Sequence, residues 1–215
     1  VVRFLKLKWL GHASWKIKAG GKTIYLDPYE GEYDEVADLV LASHSHQDHC
    51  HVQKTNMIKS DKTIIIAPED CANILGTKVK SLKPGQTASF NGVTIEAVEA
   101  YNYKRFRSPG VPFHPRGLGV GYIVKAEGKS VYHTGDTDFI DEMKELTGLD
   151  LVLIVSGGTY TMDNDDAADA VLAMKPKMAI PQHMWDTNPR AFKEKIESNS
   201  DVTVKILEPN ETLTL

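Results

Sequence analysis

Ile17-Lys18-Ala19-Gly20-Gly21-Lys22-Thr23-Ile24-Tyr25 and Val124-Lys125-Ala126-Glu127-Gly128-Lys129-Ser130-Val131-Tyr132 follow one pattern, which the chain uses twice. Each reads as strand, glycine turn, strand, which is a β-hairpin. Three more pairs follow in the same order. Ala37-Asp38-Leu39-Val40-Leu41 is echoed by Leu149-Asp150-Leu151-Val152-Leu153, and Ile65-Ile66-Ala67-Pro68 by Met178-Ala179-Ile180-Pro181. Last, Val79-Lys80-Ser81-Leu82-Lys83-Pro84-Gly85-Gln86-Thr87 returns as Val204-Lys205-Ile206-Leu207-Glu208-Pro209-Asn210-Glu211-Thr212. The offset between partners grows along the chain, as it does when two copies diverge by insertion. The continuous apolar runs suit strands buried on both faces.

Helices are expected between these strands. Asp163-Asn164-Asp165-Asp166 places a capping side chain and first-turn carboxylates before 167–174, and Asn188-Pro189 opens a helix through 196. Shorter candidates cover 139–146 and 69–75. Each copy then has a sheet face that needs a partner. The economical solution is one domain of mixed α/β (α+β) class over 1–215, a four-layer αββα sandwich whose duplicated halves run roughly 1–100 and 101–215.

Composition agrees with a folded domain. The 215 residues are 41% hydrophobic and 25% charged, which excludes disordered and fibrous classes. A net charge of −4 and a pI near 6.1 argue against a surface built for long nucleic acid or an anionic membrane. No apolar run approaches the roughly 18 residues of a membrane span. Residues 1–9 alternate polar and apolar, which predicts a first strand in place of a signal-peptide core. Cys50 and Cys71 make no disulfide framework, so a reducing cytoplasm is the expected compartment.

The chemistry concentrates where the run 38–42 passes into Ser43-His44-Ser45-His46-Gln47-Asp48-His49. Rigid backbone at a strand end positions side chains while the following loop stays reachable. Two imidazoles one residue apart converge on a single cation if the backbone is extended. Asp48 and His49 then serve a second cation, roughly 3.5–4 Å away in two-metal hydrolases. Three imidazoles and a carboxylate within six positions point to metal; a solvent-facing polar loop is the bland alternative.

These residues resemble the signature of the metallo-β-lactamase-fold hydrolases, His-x-His-x-Asp-His after a buried strand, and that fold is the duplicated αββα sandwich derived above. The likeness narrows to small metal-dependent hydrolases that include the ascorbate-6-phosphate lactonase-like proteins. It rests on Trp9-Leu10-Gly11-His12-Ala13-Ser14, Leu26-Asp27-Pro28, His133-Thr134-Gly135-Asp136-Thr137-Asp138, Gly157-Gly158-Thr159-Tyr160-Thr161-Met162 and Ile180-Pro181-Gln182-His183. The resemblance implies that His44 and His46 bind a first metal with a third histidine, that Asp48, His49 and His183 bind a second, and that Asp136 bridges them. His114 is the choice for the third histidine, with Asn102 as a rival in its neighbourhood. Asp27 and His12 are expected behind the ligands, Asp27 with preference, because a metal-bound imidazole usually donates its other N–H to a carboxylate or carbonyl. Thr159 and Tyr160 line a pocket or only make a turn.

Two divalent ions sharing a bridging water bring its pKa towards about 7 and supply a hydroxide nucleophile. Asp48 is placed to orient it. Zinc is the leading metal, with manganese, nickel and iron as alternatives. Arg105, Arg107 and Arg116 flank His114 and would hold a small anionic substrate such as a phosphoester or phosphorylated lactone, unless they only form a solvated basic loop. A di-iron redox enzyme and a binding or regulatory protein without turnover remain alternatives; di-iron sites prefer a carboxylate at the place of His46. Oligomeric state is not legible.

Overall fold

The computed structural model describes residues 4–215. Strands β1 (Lys6–Gly11), β2 (Ser14–Ala19), β3 (Lys22–Leu26) and β4 (Leu39–Leu41) precede helix α1 (Val52–Ile58), strand β5 (Ile64–Ile66) and helix α2 (Asp70–Leu75). Strands β6 (Thr87–Phe90) and β7 (Val93–Ala100) lead to a small ribbon of β8 (Phe106–Ser108) and β9 (Val111–Pro112). The rest follows as β10 (Gly119–Ala126), β11 (Lys129–His133), β12 (Leu151–Val155), α3 (Asn164–Met174), β13 (Met178–Gln182), α4 (Arg190–Glu197), β14 (Thr203–Val204) and β15 (Thr212–Thr214). The expected first strand is β1; residues 1–3 of that expectation lie outside the described residues.

Both repeated hairpins form. Gly20-Gly21 and Glu127-Gly128 all have positive φ, from 53° to 72°, which is the mirror-image two-residue turn that matches strand twist. The turns also touch: Gly20 N–H donates to Glu127 Oε1 at 2.8 Å. In each copy the next run pairs parallel with the second hairpin strand, Ile24 with Leu39 and Val131 with Leu151. The third lies parallel beyond it, Leu39 with Ile64 and Leu151 with Met178.

The copies then exchange their last strands. The six-stranded sheet has the order β15-β1-β2-β3-β4-β5 and the seven-stranded sheet β14-β13-β12-β11-β10-β7-β6. β6 ends the first repeat yet pairs with β7, while β15 ends the second and pairs with β1. β7 stands in the second sheet where β1 stands in the first, so the second copy begins at Val93 and the expected boundary near 100 moves back by one strand.

Three cores make four layers. Leu7, Trp15, Ile17, Leu39 and Leu41 of the first sheet meet Ile95, Tyr122, Val124, Leu151 and Leu153 of the second. The alternate residues Val152 and Ile154 face outward onto Ala167, Val171, Phe192 and Ile196 of α3 and α4. On the other outer face Tyr25, Val40 and Ile65 pack against Ile58, Cys71 and Leu75 of α1 and α2. α3 starts where expected, with Asp163 accepting from Asp166 N–H at 2.9 Å, and α4 follows Asn188-Pro189. The 139–146 candidate shrinks to one 3-10 turn, Asp141–Glu145, whose N-cap Ile140 has no side-chain acceptor to start an α-helix. α1 carries none of the usual cap residues: the His51 imidazole accepts from Lys54 N–H instead. Among the described residues no helix is long and apolar enough to cross a membrane.

Candidate metal centre

The parallel strands of both sheets end on one edge of the sandwich, opposite the hairpin turns. His44, His46, Asp48 and His49 follow β4, Asp27 follows β3, Asp136 follows β11 and His183 follows β13. Four non-glycine residues there hold left-handed backbone: His12, Asp27, His183 and Trp185, at φ of 50°, 42°, 51° and 49°. That conformation is strained for L residues and gathers at functional sites.

Two groups of donors form. His44 Nε2 lies 3.0 Å from His46 Nδ1, which lies 3.2 Å from His114 Nε2. In the second group, Asp48 Oδ2 is 3.7 Å from both His49 Nε2 and His183 Nε2. Asp136 stands between the groups: Oδ1 is 3.4 Å from His49 Nε2, and Oδ2 is 3.5 Å from His183 Nε2, 3.3 Å from His114 Nε2 and 4.0 Å from His44 Nε2. Metal–ligand lengths of about 2.0–2.2 Å put neighbouring donors roughly 3.0–3.5 Å apart, so the spacing suits a shared cation. His12 joins the second group, its Nε2 3.1 Å from Asp48 Oδ2 and its ring 3.9 Å from that of His183.

Buried polar atoms without partners supply the fit test. His49 Nε2, His183 Nε2 and Asp136 Oδ1 are shut from water and make no hydrogen bond among the described residues. Such atoms are costly unless something binds them. A divalent cation satisfies all three, and nitrogen with carboxylate oxygen is a donor set zinc accepts.

The residues behind the donors set which nitrogen is free. Asp27 Oδ1 accepts Ser43 N–H at 2.7 Å, while Oδ2 lies 2.7 Å from both Ser43 Oγ and His49 Nδ1. A carboxylate only accepts, so His49 carries its proton on Nδ1 and turns an Nε2 lone pair into the site. Ser43 Oγ gives its one proton to Asp27 and accepts from His44 Nδ1 at 3.0 Å, leaving His44 Nε2 free as well. One carboxylate thereby orients a histidine of each group. Asn102 does the same for His114: its Oδ1 takes Nδ1–H at 2.7 Å and the backbone N–H at 2.9 Å. The two rivals for the third position work as a pair, with His114 facing the site and Asn102 behind it.

Burial drives His44 well below the usual histidine range, aided by the His49 charge, and burial also lowers His46; both present neutral lone pairs. Burial opposes charge on His49 too, but the Asp136 and Asp27 carboxylates outweigh it and raise that imidazole, so a cation binding at Nε2 would displace a proton from that nitrogen. Burial would raise Asp48 and Asp136. The hydrogen bond from His12 and the nearby His183 imidazole, 3.7 Å away, hold Asp48 low instead, and the charges of His183 and His49 hold Asp136 low.

Arg105, Arg107 and Arg116, expected at the mouth, do not line the cleft. Arg105 Nη1 pairs with the fully buried Asp138 at 2.6 Å, Nη2 with Asp166 at 2.8 Å, and Nε donates to Gly158 O. Arg116 pairs with Glu99 and Glu142, and Arg107 Nη2 donates to Phe113 O. Arg105 and Arg116 brace the loop because acidic side chains of neighbouring elements lie closer than the cleft does, while Arg107 holds only a backbone carbonyl and stays outside the cleft lining. The cleft over the donors, ≈ 290 Å³, is walled by Phe113, Tyr160 and Trp185. Thr159 is exposed and lines none of it. Phe113 and Trp185 escaped the sequence reading; a tryptophan two positions past His183 was the available signal. His133 escaped as well, although its Nε2 donates to Ala13 O at 2.9 Å and its Nδ1 accepts Gly135 N–H, holding the turn that delivers Asp136.

This fold and donor arrangement match known proteins. The family model described as a β-lactamase superfamily domain matches residues 6–183. A UPF0173 metal-dependent hydrolase of Pelotomaculum thermopropionicum is 34% identical over 98% of this chain and 100% of its own. A structure from Parabacteroides distasonis, provisionally assigned as a metal-dependent hydrolase, is 34% identical and superposes with a TM-score of 0.88 over 94% of this chain and 92% of that one. Igni18 of Ignicoccus hospitalis, described as a metallo hydrolase, is 26% identical with a TM-score of 0.81 over 99% and 98%. The chain belongs to the β-lactamase superfamily, and within it to the family of the UPF0173 metal-dependent hydrolases.

Proposed function

We propose that the protein is a hydrolase with a dinuclear metal site. His44, His46 and His114 would hold one ion, Asp48, His49 and His183 the other, and Asp136 both. The observation that carries this reading is the meeting of two donor groups at one buried carboxylate, with unpartnered atoms aimed between them. Two divalent ions there would polarise the bond under attack and lower the pKa of a water between them. His12 and Asp27 orient ligands. Asp48, whose side chain is 28% exposed, opens onto the cleft and is the group placed to orient the attacking water as well as hold a metal. Zinc leads among the metals, and an ester or lactone leads among the bonds. The likeness to ascorbate-6-phosphate lactonase-like proteins rests on sequence motifs, and the paired arginines remove the cations that would have favoured a phosphorylated substrate. The two buried free cysteines suit a reducing cytoplasm.

Metal content tests the reading. Protein purified without chelators or an immobilised-metal column should carry two ions per chain by plasma mass spectrometry, and Asp48→Ala or His183→Ala should retain one. Two ions retained in either variant would overturn the ligand assignment. Iron with visible absorption would move the reading to a redox enzyme, and metal without turnover across ester, lactone and phosphodiester panels to a binding protein.

A further inference from the structure

We propose that the substrate carries one uncharged aromatic group beside its scissile ester or lactone bond, and that Trp185 is the specificity-determining residue that receives it. This rests on the hydrolase reading and goes beyond it in naming what the site selects. Three aromatic rings form a continuous wall rising from the metal donors. Trp185 stands edge-on to His12 and His183 at 5.3 and 5.5 Å, Tyr160 lies 6.1 Å beyond it, and Phe113 meets Tyr160 at 4.8 Å.

The wall is built for exposure. Trp9 and Trp15 are buried, whereas Trp185 is 57% exposed and Tyr160 40%. The Trp185 backbone holds a left-handed conformation that side-chain-bearing residues avoid. Its ring lies over Gly157, where a Cβ would fall 2.5 Å from Trp185 Cδ1 and 2.5 Å from His183 O. A glycine at that point and strain at the tryptophan both serve to set an indole beside the ligands, where burial in the core cannot explain it.

Charge excludes the alternative. No lysine or arginine lines the cleft among the described residues; Arg105, Arg116 and Lys104 are held by acidic partners, and Arg107 donates to the Phe113 backbone outside the cleft lining. A second anionic group would find no cation beyond the metals, while an aromatic ring gains stacking and edge contacts.

The test compares benzyl acetate, methyl acetate and 4-carboxybenzyl acetate. An apolar pocket discriminates by about tenfold or more per group, so kcat/KM for benzyl acetate should exceed that for each of the others by roughly that factor. The benzyl-to-methyl ratio should fall to within about threefold in Trp185→Ala and shrink in Tyr160→Ala, which packs on no metal donor. Metal content is measured in both variants. Unchanged selectivity in Trp185→Ala, or preference for the carboxylate ester, would overturn the proposal. Trp185 is also a reporter independent of turnover. Benzyl alcohol should change the protein's fluorescence saturably, 4-(hydroxymethyl)benzoate should bind more weakly, and Trp185→Phe should lose the signal. If no ester is hydrolysed and the lactone and phosphodiester panels fail as well, the hydrolase reading fails, yet the fluorescence titration still decides the wall: no saturable change with benzyl alcohol, or tighter binding of the benzoate, refutes it.

Discussion

On the proposed dinuclear reading, replacing Asp27 with asparagine should weaken the hold on both metal ions, although Asp27 touches neither group of donor atoms directly. The carboxylate takes three hydrogen bonds, from Ser43 N–H, Ser43 Oγ and His49 Nδ1. An asparagine keeps the shape and tolerates the left-handed backbone at this position. If its oxygen accepts Ser43 N–H, its amide N–H groups face Ser43 Oγ and His49 Nδ1, both of which must turn into acceptors. His49 then carries its proton on Nε2, inside the site. Ser43 Oγ–H turns towards His44 Nδ1, and the His44 proton also moves to Nε2. Refusing the flip sets donor against donor, at a cost of about 1–3 kcal/mol, or roughly 5- to 150-fold at 1.4 kcal/mol per decade. Loss of an outer partner of a metal-bound histidine costs a similar 10- to 100-fold or so. The two routes agree on about one to two orders of magnitude at each site. Ser43→Ala separates the arms: it breaks the His44 relay alone and should weaken only the first site. Zinc affinity is read by competition with a chromophoric chelator and stoichiometry by plasma mass spectrometry. Wild-type affinity for two ions in Asp27→Asn would refute the tautomer argument.

Arg105→Ala should cost roughly 3 kcal/mol of stability by leaving the buried Asp138 carboxylate unpaired, seen as a lower denaturant midpoint; a raised KM with unchanged stability would restore Arg105 as a substrate group. Gly119→Ala should perturb the first metal site, since a Cβ would fall 2.7 Å from His44 Cβ and 3.0 Å from Ser43 O; unchanged stoichiometry with unchanged thermal midpoint would contradict it. Hydrogen bonds from Lys16 and Lys18 hold Glu35 down at about 2 against an ordinary 4.5. A depressed carboxyl stabilises the fold above 4.5 and loses that contribution as the pH falls towards 2. Glu35 is partly exposed, so solvent screening keeps the effect small. Glu35→Gln should flatten that part of the stability profile, and an unaltered profile in acid titration would show that the pairs contribute nothing.

The repeat, its hairpins and the sandwich were legible because hairpin turns and buried parallel strands leave short-range patterns: two glycine turns at matching places and apolar runs bounded by loops. α1 was not legible, because a histidine cap at His51 looks like one more polar residue beside the metal cluster. The exchange of β6 and β15 was not legible either. A strand of three or four residues shows which of its faces is buried, but not which sheet it joins.

The His44–His49 cluster, Asp136 and His183 were picked out as candidate ligands from chain position and family likeness, since metal ligands need particular residue types just past strand ends, and the fold brings them together. Tertiary structure decided the rest. The choice of His114 over Asn102 is a matter of which faces the cleft and which stands behind, and only the tertiary contacts answer it: His114 Nε2 lies 3.2 Å from His46 Nδ1 and 3.3 Å from Asp136 Oδ2, while Asn102 holds its other nitrogen at 2.7 Å. The fate of the arginines depends on Asp138, Asp166, Glu99 and Glu142, whose nearness arises from packing of distant segments. The wall of Phe113, Tyr160 and Trp185 joins three loops far apart in the chain. Local sequence determines what a segment is and which groups it carries; charge pairing and cleft lining are long-range sums over three-dimensional neighbours, so they exist only once the sheets have packed.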